Sequence, residues 1–600
     1  MKTSQRTFFP KTLLILIDVS LIVHLILFVT AFLLLLNSSA AETSTSSGTP
    51  SNAPDHSRLL TYTKHFTEPA KGPEFVMPVG SGDLAGMVSF DTALQLHLSK
   101  SDWFGRPQLT ESGTGSAGGG KFANMSPGHI TLSLGGLTAE KIRQFDQFMD
   151  FYRGSVIVKL DTTEGPVELE VFGDMSRKAL LIHVRDDRGK RQEATTVTLS
   201  NWREGMRIST QDSVITGEEI HKTTRDGKAV TDPNKVPAND CLYNLGLGIA
   251  IGGTGAKISN NALEFTPQAS EYDVVITAEV TRDGQPLAAA LAKQRDIQAA
   301  NLKELHNQQL GWWQNFWDQS WIELTGDNDA TYLTRLWLTD LYTFAGIFSG
   351  KLPPTFTGAQ LLVMKDYSSW AGAYTFQNTR EMIWPMGAAN HNSFSELYLK
   401  TYDRYFDYLQ KSTATLGKIG IRVPEYINIM ENPDLAWQRS NPPRRPTPFD
   451  KNRIDNRENQ TLENLGAGHT IHILQDGGEL IQLMFDHVRY SGDEQFLKNV
   501  CAPWLREFTL FYLNYLKQGE DGLWHMTPSN AAETWWKVKD PLTDLCAVRY
   551  CFEQVIKYGN QLGYEPELIN LVKERLNKLA PIPLGGIFYS VKLLKLCRAG

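Results

Sequence analysis

One carboxylate lies in a loop between two helical segments, which is a suitable setting for a proton donor. Glu533 belongs to Met526-Thr-Pro-Ser-Asn-Ala-Ala-Glu-Thr-Trp-Trp536, and two tryptophans, Trp535 and Trp536, follow it. A carboxyl group buried beside an aromatic surface keeps its proton more readily, and such a group can protonate a leaving-group oxygen. We therefore predict a catalytic role for Glu533 and a substrate contact for Trp535. The alternative is that Glu533 caps the next helix or lies on the surface.

Amides and a tryptophan are concentrated at the start of a second predicted helix, in residues 376–391. This stretch contains Gln377, Asn378, Trp384 and Asn390. Amide side chains pair a donor with an acceptor, so they can hold a nucleophilic water or the hydroxyl groups of a sugar. We predict that Asn378 and Asn390 take part in catalysis and that Gln377 and Trp384 bind substrate. The alternative for Asn378 is a loop or cap residue.

Three other stretches offer weaker chemistry. Glu425 lies in a loop beside Tyr426, and we expect it to be solvent-exposed. His469 and His472 are three residues apart, but without a nearby cysteine or carboxylate pattern we predict packing or capping, and no metal site. The glycine-rich stretch 77–86 lacks the lysine of a phosphate loop, so we predict a tight β-turn segment and no bound cofactor.

The periodicity of the chain changes near residue 285. Between residues 60 and 284, apolar and polar residues alternate, as in Ile130/Leu132/Leu134 and Val167/Leu169/Val171, which predicts an N-terminal β-sandwich. Residues 285–325 carry strong helix formers and predict a helical linker. From residue 326 to residue 600, helical patterns separated by long loops predict an (α/α)6-type toroid, whose loops would build a site at one rim.

The N-terminus predicts membrane targeting. Three basic residues precede an apolar stretch from about Leu13 to Leu36, and Ser39-Ala40-Ala41 resembles a cleavage site. Residues 1–41 are therefore either a signal peptide or a signal anchor, and residues 42–59 a flexible stalk rich in Ser, Thr and Pro. We expect a chain that is either secreted or held by a single span, with its bulk extracellular or lumenal.

Composition argues against nucleic acid as a partner. The formal net charge is −7, and no extended run of Lys or Arg follows the N-terminus. A nucleic-acid surface needs a basic patch.

Several stretches together resemble the six-hairpin glycosidase superfamily, in particular glycoside hydrolase family 95. Residues 77–88 look like the family's P-x-G-N-G-x-L-G-x-M-V strand, and residues 98–103 look like the segment that follows it. Gly478-Glu-Leu and Tyr490-Ser-Gly-Asp493 resemble its central hairpins. The similarity extends from about residue 60 to about residue 580 and implies a carbohydrate substrate.

Two of the matches imply roles in an inverting acid/base mechanism. Pro528-Ser-Asn-Ala-Ala-Glu533 is similar to the family's P-S-x-S-P-E loop, whose Glu is the general acid, so the resemblance gives that role to Glu533. Asn378 and Asn390 match two asparagines of the family through the shared Trp384-Pro385. Phe376 stands where the family has its first Asn, and Ala532 replaces the Pro before the acid, which argues against the family's own substrate, an α-linked fucose or galactose.

The general base is the part of the resemblance that the chain does not match. The family carries it as an Asp on a later hairpin, followed by a β-domain, whereas this sequence stops at Gly600; we therefore expect an incomplete toroid. Asp366, Glu381 and Glu425 are conceivable substitutes. Three hypotheses follow: an inverting glycoside hydrolase acting on extracellular or lumenal glycans; a truncated or misassembled, non-catalytic carbohydrate-binding protein; and a lyase or phosphorylase on the same fold.

Overall fold

The computed structural model describes the chain from His56 to Pro583, apart from several short gaps. The described residues are 56–106, 123–189, 191–222, 224–225, 228–229, 242–355, 361–368, 371–428, 446–456, 458–468 and 470–583. The predicted targeting segment, most of the predicted stalk and His469 lie outside them. Among the helices of the described residues, none combines the length and the apolar character that crossing a bilayer requires.

Alternating apolar residues of the N-terminal half form two antiparallel sheets. In chain order their strands are β1 His65–Phe66, β2 Met77–Gly80, β3 Leu84–Phe90, β4 Leu94–Lys100, β5 Gly128–Ser133, β6 Ile142–Asp150, β7 Ser155–Thr162, β8 Gly165–Asp174, β9 Ala179–Asp186, β10 Thr195–Ser200, β11 Arg207–Gln211, β12 Val214–Ile220, β13 Gly246–Gly253, β14 Lys257–Ser259, β15 Ala262–Phe265 and β16 Glu271–Thr281. The larger sheet has nine strands in the order β1-β6-β7-β8-β9-β16-β13-β12-β11, and the smaller has seven in the order β14-β15-β10-β5-β4-β3-β2.

The two sheets pack face to face through β2 and β3 of one and β8 and β9 of the other. The alternating residues identified in the sequence, Ile130, Leu132, Val167, Leu169 and Val171, are buried in the core between them. Short elements accompany the sheets: the strand pairs Phe104–Gly105 with Ala123–Asn124 and Thr224–Arg225 with Lys228–Ala229, and 3-10 turns at Pro73–Phe75 and Ala139–Lys141.

Helices make up most of the chain after Thr281. They are preceded by the short α1 His56–Leu60 and comprise α2 Pro286–Ala299, α3 Leu302–Gln319, α4 Asn328–Phe348, α5 Phe376–Ala388, α6 Asn392–Asp403, α7 Phe406–Thr415, α8 Lys451–Asp455, α9 Thr461–Asn464, α10 Asp476–Ser491, α11 Glu494–Phe496, a π-helical turn Leu497–Cys501, α12 Ala502–Tyr515, α13 Leu542–Tyr558 and α14 Pro566–Asn577. The predicted order, an antiparallel β region followed by a helical region, is confirmed.

The helices of residues 285–325 pack on the sandwich. Helix α2 covers the outer face of the nine-stranded sheet at β13 and β16. Helix α3 places Trp313 and Trp317 in the core, where the Trp317 indole N–H donates to the Phe151 carbonyl at 2.8 Å. Trp313 also stacks on Tyr342 of α4, with ring centroids 5.1 Å apart. The tryptophan cluster therefore joins the linker to both regions of the protein.

The glycine-rich stretch 77–86 forms β2, a turn and the start of β3, directly under helix α4. The Gly82 N–H donates to the Gly346 carbonyl at 2.7 Å. A Cβ on Gly80 would lie 2.2 Å from the same carbonyl oxygen, so only glycine permits this approach of helix to strand. These glycines serve packing between the β and helical regions.

Helix α10 occupies a central place in the helical region. It contacts α5, α6, α12 and α13, and α13 also packs on α14. The aromatic stripe of α12 is buried in this packing, and Phe508, Phe511, Tyr512 and Tyr515 are all at most 2% exposed. Such contacts hold the N-terminal ends of α5 and α10 in fixed places, and both ends contribute to the site described next.

Candidate catalytic site

A short hairpin between α12 and α13 carries Glu533. Strands β17 Ser529–Ala531 and β18 Trp535–Val538 pair with a bulge, and Ala532 adopts a positive φ of 51° at the start of the turn that contains Glu533. Two other short pairs belong to the helical region: Ala373–Thr375 with Tyr426–Asn428, and Lys517–Gln518 with Trp524–His525.

The hairpin is fixed to the loop that precedes α10. Asn530 donates from its backbone N–H to the His472 carbonyl at 2.9 Å and from its side chain to the Gly468 carbonyl at 2.8 Å. Its side-chain oxygen accepts from the Lys537 N–H at 3.1 Å, which closes the hairpin. The imidazole Nε2 of His472 lies 3.0 Å from the Leu462 carbonyl oxygen. Asn530 and His472 therefore position the turn that presents Glu533.

Glu533 and both neighbouring tryptophans are exposed. Trp535 is 49% and Trp536 47% accessible to solvent, and the Trp536 indole N–H donates to the Glu533 carbonyl at 2.7 Å. The sequence led us to expect a carboxyl group buried against aromatic rings. The hairpin turn instead points these side chains outward, so Glu533 is accessible to a substrate.

Glu425 is buried, contrary to the expectation of a solvent-exposed loop carboxylate. Its side chain is only 3% exposed and accepts the Gln377 backbone N–H, at 3.1 Å, in the first turn of α5. Burial raises the pKa of Glu425 to about 7, while the Gln377 N–H and Arg380 favour its charged form. The negative charge of Glu533 also raises the pKa values of Glu425 and Tyr426. Glu425 is thus placed near Glu533 but inside the protein.

Asp476, the first residue of α10, lies beside Glu425. It is fully buried, and neither of its carboxyl oxygens has a hydrogen-bond partner among the residues that the structure describes. Burial, reinforced by the carboxylates of Glu425 and Glu479, raises the pKa of Asp476 well above its usual value. Neither the sequence pattern nor the family resemblance had identified Asp476 as part of a site.

Helix α5 carries the other predicted substrate contacts along one face. Gln377, Arg380 and Trp384 are spaced i, i+3 and i+7, so they lie on the same side of the helix. The Arg380 Nε lies 2.6 Å from a carboxylate oxygen of Glu479, and its guanidinium carbon is 5.1 Å from the centroid of the Trp384 ring. The Trp384 ring is 47% exposed. This face offers a charged pair and an open aromatic surface.

The two predicted catalytic asparagines lie at opposite ends of α5. Asn378 is half-buried in the first turn, next to Gln377, whose backbone N–H donates to Glu425. Asn390 follows the last turn with a positive φ of 58°, is exposed, and donates to the Gln319 carbonyl at 3.1 Å. At 1.5 Å per residue the two are about 18 Å apart along the axis. The structure brings Asn378 to the Glu425 end and leaves Asn390 at the other.

The remaining candidate bases lie elsewhere or face solvent. Asp366 pairs with Arg203 of the sandwich, and burial raises the pKa of Asp366 to about 6. Glu381 is exposed on α5, one turn after Gln377. No cluster of three or more potential metal ligands occurs among the residues that the structure describes.

Asp544 anchors the far end of the hairpin. It is fully buried near the start of α13 and accepts a short hydrogen bond from the Ser529 hydroxyl. Burial raises the pKa of Asp544 to about 8, although that hydrogen bond favours the charged form. Asp544 differs from Asp476 in having a hydroxyl donor of its own.

The comparisons with known proteins agree with this architecture. Residues 463–586 match the glycosyl hydrolase family 95 catalytic domain, a stretch that includes Asp476 and Glu533. Among solved structures, a putative kojibiose phosphorylase from the human microbiome is similar with a TM-score of 0.55 and 12% identity, over 86% of this chain and 70% of that one. The resemblance to six-hairpin glycosidases is confirmed. At this identity, the structural likeness establishes the fold alone.

A second solved structure, a bacterial glucoamylase complexed with acarbose, aligns over 86% of this chain and 69% of that chain, with 8% identity and a TM-score of 0.42. A search of curated proteins found no match. The family match covers the hairpin and α10, whereas the first turn of α5 and Glu425 precede the matched residues.

Proposed function

We propose that this protein cleaves glycosidic bonds in a carbohydrate, with Glu533 as the general acid and with inversion at the sugar. The observation that supports this most is the exposed carboxylate of Glu533 on an anchored hairpin, within the segment that matches a glycosyl hydrolase catalytic domain. A positioned carboxylic acid that protonates the leaving oxygen contributes typically about 10²–10⁴-fold to rate. Glu533 has the access to substrate that this role needs.

Substrate binding would use the first turn and exposed face of α5. The side chains of Gln377 and Asn378 offer amide donors and acceptors for sugar hydroxyls, and the ring faces of Trp384 and Trp535 are open to stack on a sugar. Amphipathic aromatic surfaces of this kind suit sugars, which have both apolar faces and hydroxyl edges. Asn390 is bonded to Gln319 at the other end of the helix.

A second candidate function is carbohydrate binding without hydrolysis. Inverting hydrolysis uses a second carboxylate that activates water, about 6.5–9.5 Å from the acid. Glu425, whose pKa is raised by burial and by the nearby charge of Glu533, is 3% exposed, so its carboxyl group offers little surface to such a water. This burial favours a binding protein, or a reaction in which another nucleophile, such as inorganic phosphate, attacks the sugar.

The action on extracellular or lumenal glycans remains part of the proposal. Its support is the basic and apolar sequence of residues 1–41. Protease protection of the expressed full chain in sealed microsomes tests it, with protection expected and digestion from the cytosolic side contradicting it.

A panel of oligosaccharides and aryl α- and β-glycosides tests the reaction. The full chain and Glu533→Gln are compared, each with and without inorganic phosphate, and products are identified by chromatography. Release of free sugar by the wild type and its loss in Glu533→Gln support hydrolysis, while sugar phosphate formed only with phosphate supports phosphorolysis. Binding without turnover supports the second candidate, and equal turnover by both proteins removes Glu533 from the role of acid.

A further inference from the structure

The hairpin that presents Glu533 is attached to its surroundings through one buried hydroxyl group. Ser529 is the first residue of strand β17, and its Oγ lies within hydrogen-bond distance of two oxygens: the His472 carbonyl oxygen, at 3.2 Å, and a carboxyl oxygen of Asp544. Ser529 and Asp544 are both fully buried. A hydroxyl group has a single hydrogen, so Ser529 can donate to one of these two oxygens at a time. The other contact is a hydrogen bond when Asp544 supplies a second hydrogen.

The surroundings of Asp544 favour a proton on its carboxyl group. The Oδ1 atom of Asp544 has no hydrogen-bond partner among the residues that the structure describes. The charged side chain that acts on Asp544 in this part of the protein is Glu479, which is also a carboxylate. A buried carboxylate with one donor and no cation beside it is unfavourable. Burial accordingly raises the pKa of Asp544 to about 8, so the group keeps its proton near neutral pH.

With that proton in place, the contacts form a continuous chain of hydrogen bonds. Asp544 donates to the Ser529 hydroxyl, and Ser529 donates to the His472 carbonyl. The same carbonyl accepts the Asn530 backbone N–H at 2.9 Å, so both of its lone pairs are used. The chain therefore joins helix α13, strand β17 and the loop before α10, four residues before Glu533.

Ionisation of Asp544 interrupts this chain. A carboxylate has only acceptors, so it takes the hydrogen of Ser529, and the His472 carbonyl keeps only the Asn530 N–H. The charge is also better stabilised by water than by the protein interior, which favours conformations in which the hairpin separates from α13. The hairpin is thus held more firmly by the acid form of Asp544 than by its carboxylate form.

The other titratable groups around Asp544 do not replace its proton. Glu479 of α10 and Tyr512 and Tyr515 of α12 face it, together with the Ser529 hydroxyl of the hairpin. Burial raises the pKa values of both tyrosines, so they stay neutral where Asp544 titrates. The charge of Glu479 opposes the ionisation of Asp544.

We propose that Asp544 is a positioning residue of the candidate site, which as a carboxylic acid holds the Ser529 hydroxyl and thereby the hairpin turn that presents Glu533. Asp544 acts through the backbone of residues 529–533 and does not touch the substrate. This inference rests on the proposed role of Glu533 as general acid. Its consequence is that activity has an upper pH limit set by the ionisation of Asp544, in addition to that of Glu533.

Two substitutions at position 544 separate a hydrogen-bond donor from a group that only fills space. Asp544→Asn keeps a donor for Ser529 and cannot ionise, so at pH 6.5 its kcat stays within about twofold of wild type. Asp544→Leu fills the same space without a donor, and kcat falls about tenfold with little change in KM, because a displaced acid weakens binding of the transition state. A merely structural role would make the leucine variant as active as the asparagine variant.

Ser529→Ala breaks the same chain at its middle. We expect the loss of kcat seen in Asp544→Leu, and no further loss when the two substitutions are combined, because both remove one interaction. If Asp544→Leu does not fold, Ser529→Ala is the variant without the chain.

The pH dependence of kcat provides a readout that packing alone would not change. The ratio of kcat in Asp544→Asn to kcat in wild type is near one at pH 6.5 and rises to about fivefold at pH 9, where wild-type Asp544 is ionised. Both proteins carry Glu533, so its own titration cancels in the ratio. A constant ratio contradicts the proposal.

Hydrogen exchange measured by mass spectrometry follows the hairpin without turnover. Residues 526–540 include the Asn530 and Lys537 backbone N–H groups, which donate to the His472 carbonyl and to the Asn530 side chain. Wild type and Asp544→Asn exchange alike at pH 6.5, whereas wild type exchanges faster at pH 9. Ser529→Ala exchanges faster than wild type at pH 6.5. Peptides from strands β8 and β9 exchange equally in all variants, which shows that the change is local.

Two control variants remove similar groups elsewhere. Thr509→Val removes a fully buried hydroxyl group from α12. Asp403→Asn removes a buried carboxyl group of α6 that accepts the Trp504 indole N–H at 2.8 Å. Neither residue belongs to the chain through Ser529, so both variants keep the wild-type pH profile and hairpin exchange.

Infrared spectroscopy tests the proton itself. At pH 7 the difference between wild type and Asp544→Asn contains a protonated-carboxyl stretching band, which shifts in Ser529→Ala and disappears as the pH passes about 8. Absence of this band, or equal activity and equal exchange of Asp544→Leu and Asp544→Asn, overturns the proposal. If the wild type cleaves no glycoside, the proposed function fails, and the exchange and infrared measurements still decide whether Asp544 holds the hairpin.

Discussion

Two of the regions that contain buried charged groups in this protein compensate the charge in opposite ways. At the junction of sandwich and helices, the buried Lys100 bonds to the carboxylates of Asp83 and Asp102, and Lys351 reaches Asp102 at 3.0 Å. In the candidate site, the buried Glu425 accepts the Gln377 N–H, and the carboxyl oxygens of the buried Asp476 have no hydrogen-bond partner among the described residues. The junction neutralises its charges, whereas the site keeps like charges together. The comparison separates a structural use of buried charge from a chemical one.

The direction of the pKa shifts expresses the same contrast. Burial alone would raise the pKa of Asp83, yet Lys100 and Lys351 hold it below its usual value. In the site, burial prevails and raises the pKa values of Glu425 and Asp476. Glu425 and Asp476 therefore keep a proton at higher pH than Asp83 does.

Removing the charge of the buried Lys100 at the junction is expected to have the largest effect on stability. Lys100→Met leaves two buried carboxylates without their main partner and lowers the free energy of unfolding by about 3–5 kcal/mol, measured by urea denaturation. Lys159→Met, on an exposed strand position, is the control and changes it by less than about 1 kcal/mol. Similar values for the two variants would show that the junction does not depend on charge compensation.

In the site, replacing the buried Asp544 is expected to make the protein more stable relative to wild type as the pH rises. The pKa of Asp544 is raised from 3.8 to about 8, so its contribution to stability is present at low pH and is lost as the pH rises toward 8. Relative to wild type, Asp544→Asn therefore gains about 2–4 kcal/mol between pH 5 and pH 8. Urea denaturation at several pH values measures this difference. Glu494→Gln, exposed on the surface, should follow the wild type, and parallel curves for Asp544→Asn would contradict the prediction.

A smaller loss of stability is expected from a substitution at the place where helix α4 meets β2. Gly80→Ala places a methyl group against the Gly346 carbonyl and lowers the free energy of unfolding by about 1–3 kcal/mol. Gly311→Ala, in α3 with open space around it, is the matched control and is neutral or stabilising by up to about 1 kcal/mol. The midpoint of thermal unfolding distinguishes the two, and a tolerated Gly80→Ala would argue against a rigid junction.

Substitutions at the two ends of α5 are expected to have the smallest effects on stability, and they distinguish the end that binds substrate from the end that does not. Asn378→Ala is expected to raise KM or lower kcat by about tenfold with little change in unfolding, because its amide lies at the Glu425 end. Asn390→Ala loses the bond to Gln319 and occupies a left-handed backbone position, so it lowers stability by about 1 kcal/mol without changing KM. The reverse result would restore Asn390 to the site.

The sequence predicted those parts of the fold that depend on local periodicity. Period-two alternation at residues such as Val167 and Leu169 identified buried strands, and the strong helix formers of residues 285–325 identified helices. Both signals lie within a few neighbouring residues, so they do not depend on contacts with distant parts of the chain. The order of β region and helical region followed from the same patterns.

The burial of Glu425 and Asp476 was not predictable from local periodicity. Glu425 and Asp476 are 51 positions apart, and their burial depends on where the first turns of α5 and α10 meet. A loop carboxylate next to a proline and a tyrosine has the composition of an exposed turn. Asp476 resembles an ordinary acidic residue in a helix first turn, which the helix dipole favours. Glu533 was identified by its loop motif, but its exposure depends on the hairpin turn.

The central claim, that Glu533 donates a proton to the leaving group, is tested most directly by varying that group. Glu533→Gln is compared with wild type on glycosides with poor leaving groups and on glycosyl fluorides, which need little protonation to depart. If Glu533 is the general acid, kcat falls about 10²–10⁴-fold on the glycosides with poor leaving groups and changes little on the glycosyl fluorides. An equal loss on both classes, or no loss on either, would contradict it.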